Sequence, residues 1–263
     1  IESMTSVPIN GLHYTPHPEL LINQPNVYLS MGLTAENVAK KYNLSRKEQQ
    51  EFAINSHVNA AKAQLSKSFD KEITIIKKDN IEVKSDGGIR PNTSQEILNN
   101  LKLVFDEKGT ITAGTASPLT DGAAATLVCE EEYAKAHRLP IIARIKSTAI
   151  QGCPPELMGL GPINASKKAL KRANLEINDI DIVELNEAFA SQSIACLKEL
   201  KINPKIVNIE GGAIALGHPL GATGTRITSK AASLMIKHNK KYALATQCIG
   251  LGMGIATIIE SVN

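Results

Sequence analysis

The stretch Asn208–Gly224, NIEGGAIALGHPLGATG, constrains this chain more than any other. Glycine lets a backbone turn tightly or approach a ligand closely, because no Cβ is in the way. Pro219 suits the start of a helix, where its missing N–H would be unpaired anyway. The segment therefore predicts His218 at a strand-to-helix junction, on a glycine-lined surface near the positive end of a helix dipole. That is a place for chemistry on an anionic or carbonyl-bearing ligand. The same residues also fit a glycine-rich turn with a structural histidine, and the motif alone leaves both open.

Around it, helical and strand-like segments alternate. Strands are expected at Ala123–Cys129, Ile141–Ile150, Ile180–Leu185, Ile206–Ile209, Tyr242–Cys248 and Gly254–Glu260. Helices are expected at Glu130–His137, Ser166–Ala173, Ala188–Leu200 and Gly221–Lys237. Alternation of this kind argues α/β with a largely parallel sheet. The first hundred residues read differently. Ile1–Val27 is proline-punctuated loop. Met31–Lys41 is helical, and Ser45-Arg-Lys-Glu48 is a capping box opening a helix to Ser66. Ile73–Val83 reads as two strands round a turn, with a short helix at Ser94–Asn100. This region looks like an excursion from a larger scaffold.

Composition removes several classes. The chain has 263 residues and a net charge of +3, with no tryptophan and 3% aromatic residues. No basic run is interleaved with aromatics, so nucleic acid is not the expected partner. No apolar run approaches a membrane span, and no signal peptide is visible. Cys129, Cys153, Cys196 and Cys248 form no CxxC pair, which argues against zinc and for a reducing, cytoplasmic setting (or an organellar matrix). The chain opens on Ile1 rather than Met, which suggests a piece of something longer.

Three polar residues stand where strands are expected to end: Asn186, His218 and Cys248. Ligands of open α/β sheets bind beyond the carboxyl ends of strands. An amide, an imidazole and a thiol meeting there would supply a hydrogen-bond donor, a general base and a nucleophile or acid. The glycines of CIGLGMG would offer backbone N–H groups to an oxyanion. Each residue has a plainer role: Asn186 as a helix cap, Cys248 as a small buried hydrophobe. Cys129 and Cys196 are read that way, and Cys153 has no assigned role. His13, His17, His57, His137 and His238 are expected to face solvent. Neither glycine loop reads G-x-G-x-x-G after a first strand, so a dinucleotide site is not indicated.

LNEAFASQ (Leu185–Gln192), GGAIALGHPLGATGTR (Gly211–Arg226) and CIGLGMG (Cys248–Gly254) resemble the C-terminal motifs of the thiolase family. SPLTDGAAA (Ser117–Ala125), MGLTAENVA (Met31–Ala39) and LSRKEQQEFA (Leu44–Ala53) are similar to further thiolase segments. The resemblance implies a layered αβαβα thiolase fold and acyl transfer between a 3-ketoacyl-CoA and CoA through an acyl-cysteine. Coenzyme A is then a substrate, and no cofactor or metal is implied. By the same resemblance Cys248 is the acid/base thiol, its pKa lowered somewhat by the site. His218 activates the nucleophile, Asn186 holds a water in the oxyanion hole, and Gly250 lends a backbone N–H to a second hole. Ser117 contacts the pantetheine, Arg90 reaches the nucleotide end, and Met31 and Phe189 line the channel. Ala113 and Leu119 also fall among the CoA-binding positions.

The family's nucleophilic cysteine lies in a motif that precedes the segment IESMTSVP resembles. The expectation is therefore a loop domain at 1–115, the last strand and helix of the N-terminal half at 116–138, and the C-terminal domain at 139–263. On this view the N-terminal half is largely missing, the nucleophile lies outside the chain, and the chain alone is inactive. Ser30, DGGIRPNTS and MGLGP resemble the degradative branch. Acetoacetyl-CoA synthesis and a non-catalytic CoA-binding remnant are the alternatives. A homodimer or homotetramer is the implied assembly.

Overall fold

The computed structural model describes residues 1–9 and 11–262. The first part carries β1 (Glu2–Ser3), α1 (Pro18–Asn23), α2 (Met31–Lys41), α3 (Arg46–Leu65), β2 (Ile76–Lys78), β3 (Ile81–Val83), α4 (Gln95–Asn99), β4 (Asp121–Gly122) and α5 (Glu131–Ala136). The second carries β5 (Arg144–Gly152), α6 (Gly161–Ala173), β6 (Ile182–Leu185), α7 (Ala190–Leu200), α8 (Ala213–Leu216), α9 (Leu220–His238), β7 (Tyr242–Ile249) and β8 (Met253–Glu260).

The second part is an α/β/α sandwich. Its four strands run in the order β5-β8-β7-β6. Only β6 and β7 are parallel; β5–β8 and β7–β8 are antiparallel. The expected largely parallel sheet is thus a mixed one, because β7 and β8 are joined by a tight turn that no helix can occupy. Side chains alternate across the sheet. Val183, Leu185, Leu244, Ala256 and Ile258 pack against α6 and α7, with Ala165, Ala169, Cys196 and Leu197. Ile182, Ala243 and Ile259 pack on the opposite side, with Ala231, Leu234 and Met235 of α9. The Ile206–Ile209 strand shrinks to one parallel bridge, Val183↔Val207, after a 3-10 turn at Pro204–Ile206.

Local rules explain the helices. Ser45 accepts from the backbone N–H of Glu48, whose carboxylate accepts from Ser45 in return, so the capping box forms as read. Ser30 caps α2. Asn174, Lys201 and Asn239 end α6, α7 and α9 in the left-handed conformation. The hairpin β2–β3 forms as expected. Pro18 starts α1 inside the segment read as loop.

Three expectations fail in the first part. Residues 123–129 form no strand, and Leu127 and Val128 are 74% and 67% exposed. Among the described residues no neighbouring strand offers them its backbone, and an apolar run without a partner cannot make a ladder. Cys129 is consequently exposed rather than buried. His57 is buried, not solvent-facing, and its Nδ1 accepts from the backbone N–H of Arg90 at 3.2 Å.

Polar contacts hold the first part together and tie it to the second. Glu36 of α2 accepts from the backbone of Thr110 and Ile111 at 2.9 Å each, which fixes the GTITAG segment. Arg46 of α3 donates to the carbonyls of Leu98, in α4, and Leu101, just after it. Ser191 at the start of α7 donates to Ala35 of α2.

Candidate active site

Asn186 follows β6, whose four residues are all buried, and its N–H donates to Thr246 of β7 at 2.9 Å. The helix α7 starts only at Ala190, with Phe189 in the capping position, so Asn186 is not its cap. The residue is fully buried, and neither its amide nitrogen nor its amide oxygen has a hydrogen-bond partner in the protein. Leaving such a group unpaired costs about 1–3 kcal/mol. A fold keeps that cost where the group has another use.

His218 is reached through a sequence of turns. Gly211 and Gly217 have φ of 86° and 95°, in the region where a side chain is strained. A Cβ on Gly217 would lie 2.5 Å from Cγ2 of Thr120. The short helix α8 intervenes, so the histidine stands at a helix-to-helix turn rather than directly after a strand. Pro219 caps α9, as its position suggested. The backbone N–H of His218 donates to Thr120 Oγ1 at 3.1 Å.

Its ring is held by Thr223, whose Oγ1 lies 2.7 Å from Nδ1. The Thr223 hydroxyl donates its single proton to the carbonyl of Pro219 at 2.9 Å. The oxygen must therefore accept from the ring, which places a proton on Nδ1 and leaves Nε2 bare. Burial, helped by the charge of Arg226, pushes the imidazole down to about 4. At neutral pH it is an uncharged base.

Cys248 lies near the end of β7, opposite Gly254. Leu251 and Gly252, with φ of 70° and 100°, turn the chain back into β8. The thiol packs with Met158 and Ala188, and Met31 and Phe189 flank it. Burial pushes Cys248 up to about 12, with the neighbouring Cys153 adding to it. The expected lowering is thus reversed in the free protein, because no cation lies among the groups acting on the thiol. A Cβ on Gly254 would fall 2.1 Å from the carbonyl carbon of Gly161, so α6 begins in backbone contact with the strand. Cys153 now has a place: its N–H donates to Gly252, and its thiol reaches the carbonyl of Met158 at 3.7 Å.

The segment 115–120 joins these parts. Ser117 donates its N–H to Ala188 at 3.0 Å, Ala190 donates to Thr115, and Thr120 receives His218. Ser117, Met31, Phe189 and Gly250 are half-buried. A Cβ on Gly250 would lie 4.0 Å from Sδ of Met31, which puts the glycine turn and the start of α2 side by side. Ala113 and Arg90 are exposed, and Leu119 is 72% exposed. These three stand outside the buried cluster.

Four residues of the site escaped the sequence reading: Glu187, Asn208, Thr120 and Thr223. Glu187 accepts from Ser56 at 2.6 Å, Asn208 at 2.8 Å and the N–H of Ile214 at 3.1 Å. It welds α3, the glycine turn and the Asn186 loop together. A Cβ on Gly212 would lie 2.1 Å from its carboxyl carbon, so that glycine makes room for a carboxylate. The signal was adjacency: Glu187 follows Asn186, and Thr223 stands five residues after His218. No cluster of three or more metal-ligating side chains occurs among the described residues. No helix among them is long and apolar enough to cross a membrane.

A bare imidazole nitrogen, a thiol and an unpaired buried amide are equipped for proton transfer and for binding a developing oxyanion, the work of a thioester acyltransferase. Models of the thiolase N-terminal and C-terminal domains match residues 15–132 and 139–261, and the chain belongs to the thiolase family. It is 49% identical over 270 residues to a 3-ketoacyl-CoA thiolase of Shewanella loihica, covering 99% of this chain and 69% of that one. Human mitochondrial 3-ketoacyl-CoA thiolase in complex with CoA superposes with a TM-score of 0.86 at 36% identity, over 99% of this chain and 69% of that one. Bacillus anthracis acetyl-CoA acetyltransferase does so at 0.86 and 39%, over 89% of this chain and 60% of that one. The mixed α/β fold is thus the thiolase fold. Matches to both domain models do not support a largely missing N-terminal half, and nothing found supports inactivity of the chain alone.

Proposed function

We propose that the chain carries out thiolytic cleavage of a 3-ketoacyl-CoA by CoA, with His218, Cys248, Asn186 and Gly250 at the reacting atoms. The unpaired, fully buried amide of Asn186 carries this reading. It is a donor waiting for an oxygen that the protein itself does not supply. Nε2 of His218 takes the proton of a nucleophilic cysteine thiol as its sulfur attacks the 3-keto carbon, and then donates to the thioester oxygen; the bond between carbons 2 and 3 breaks, acetyl-CoA leaves, and CoA takes the acyl group from the sulfur. Cys248 exchanges a proton with the substrate α-carbon or the leaving CoA thiol. The backbone N–H of Gly250 serves the second oxyanion. A thiol pushed up to about 12 is a poor acid in the free protein. Binding a thioester whose enolate shares its proton is what brings it into play.

Ser117 contacts the pantetheine, with Met31 and Phe189 as channel walls. The exposed Arg90, Ala113 and Leu119 lie further out along the CoA. The domain division is 1–115, 116–138 and 139–263. The active species is a homodimer or homotetramer in the cytoplasm, or in an organellar matrix in a eukaryote.

The test is CoA-dependent loss of 3-ketoacyl-CoA, followed in the chain and in Cys248→Ala and His218→Asn. Both variants should lose thiolysis while retaining CoA binding by calorimetry. Thiolysis at the parental rate in either variant would remove the assignment. Activity confined to acetoacetyl-CoA would shift the reading to the short-chain synthetic branch.

A further inference from the structure

The backbone N–H of His218 belongs to neither neighbouring helix. The amide of Gly217, at the end of α8, donates to Ala213, and α9 opens with the bond from Ala222 to Pro219. The residue before His218 is a glycine at φ 95°, which by itself leaves the backbone free to swing. Pro219, on the other side, has no N–H to anchor the turn. The position of the imidazole therefore depends on a contact from elsewhere in the chain.

Thr120 supplies it. Its hydroxyl gives its one proton to the carbonyl of Pro118 at 2.7 Å, so the oxygen is left to accept the N–H of His218 at 3.1 Å. Its methyl lies against Gly217, where a Cβ would come within 2.5 Å of Cγ2. The contact continues along both segments, since a Cβ on Gly122 would fall 2.7 Å from Cγ of Pro219. Residues 2–5 clasp the pair from outside. β1 pairs with Asp121 and Gly122, the Thr5 N–H donates to Asp121 at 3.0 Å, and Glu2 accepts from the N–H of Gly221 at 3.2 Å. At the other end of the segment, Ser117 donates to Ala188, which packs with Cys248. Residues 117–122 thus touch both the surroundings of the thiol and the turn that carries the base.

We propose that Thr120 is a positioning residue of the acyl-transfer site: its hydroxyl holds the main chain of His218, as Thr223 holds the ring, and ties the base to the segment that carries Ser117. This rests on the reading of His218 as the base. The two threonines are not redundant. Thr223 sets the direction of the ring, whereas Thr120 sets where the ring starts from, and a displacement of about 1 Å in a reacting group costs on the order of 10²-fold in rate.

The experiment compares Thr120→Val, which keeps the branched shape and removes the acceptor, with Thr120→Ser, which keeps the acceptor. In thiolysis by the whole chain, Thr120→Val should lower kcat by about tenfold or more, with KM for CoA within about threefold of the parent. Thr120→Ser should bring kcat back to within about threefold of the parent. The bond itself is read by NMR with isotope-labelled histidine, the His218 amide being assigned by its loss in His218→Asn. That amide should exchange with solvent about tenfold faster or more in Thr120→Val, and at the parental rate in Thr120→Ser. Parental kcat or parental exchange in Thr120→Val overturns the proposal. So does an equal loss in Thr120→Ser, or a loss that appears only in KM. Should Thr120→Val not fold, Thr120→Ala is judged by the same criteria. Failure of the base assignment itself would show elsewhere, as undiminished thiolysis in His218→Asn.

Discussion

At the residue scale, two side chains near the reacting atoms do opposite things for stability. Asn186 is buried with both amide atoms unpaired, so replacing it should cost activity and not the fold. Asn186→Leu should lower thiolysis by about 10²–10³-fold, the usual effect of losing one oxyanion donor. Its melting temperature should be unchanged or higher, since an unsatisfied polar group is gone. A clear fall in melting temperature would show that the amide has a structural partner. Thr223 fixes the ring of His218 through Nδ1. Thr223→Val keeps the shape and removes the acceptor, so kcat should drop by up to about 10²-fold while CoA affinity holds. Equal loss in both would assign Thr223 to substrate binding instead.

At the element scale, the glycine turn before α8 is shaped by a carboxylate. Gly212→Ala would drive a methyl into Glu187, which already serves Ser56, Asn208 and Ile214. Crowding of this kind costs about 1–3 kcal/mol. Denaturant unfolding should show it, with activity falling in parallel because the Asn186 and His218 turns share that network. The capping box of α3 is a simpler case. Ser45→Ala should cost about 1 kcal/mol and leave thiolysis intact, since α3 contributes no reacting atom. The elements that the sequence predicted well are those governed by such local chemistry. α2, α3 and the β2–β3 hairpin could be read from caps and turns, and α9 from its apolar spacing after Pro219. The residues 123–129 could not be. Their composition is that of a buried strand, but a strand exists only where another backbone completes its hydrogen bonds.

At the scale of the whole molecule, burial of titratable groups gives the fold two opposed pH slopes. His218 is pushed down to about 4 from an ordinary 6.5. Between those values the unfolded chain binds the extra proton, so stability falls as pH drops through that window. Glu184 is raised to about 8 from 4.5. There the native state holds the proton, and stability falls as pH rises from about 5 towards 8. Chemical denaturation across pH 4–9 should therefore peak at intermediate pH. Glu184→Gln should flatten the alkaline side and His218→Asn the acid side. A profile unaffected by both would mean that neither group is shifted in the native state.

The sequence by itself determined the family motifs, the main helices and three residues at strand or helix ends, because glycine, proline and capping residues act on their own backbone. It identified Asn186, His218 and Cys248 as candidates but left a cap and a core cysteine as rival roles. Tertiary structure ruled out the cap by starting α7 at Ala190. It also turned the sheet from parallel to mixed, buried His57, exposed Cys129, and brought Thr120, Thr223 and Glu187 to the site. Each of these depends on which distant backbone or charge comes alongside. Desolvation and pairing are properties of the packed chain, and no single segment carries them.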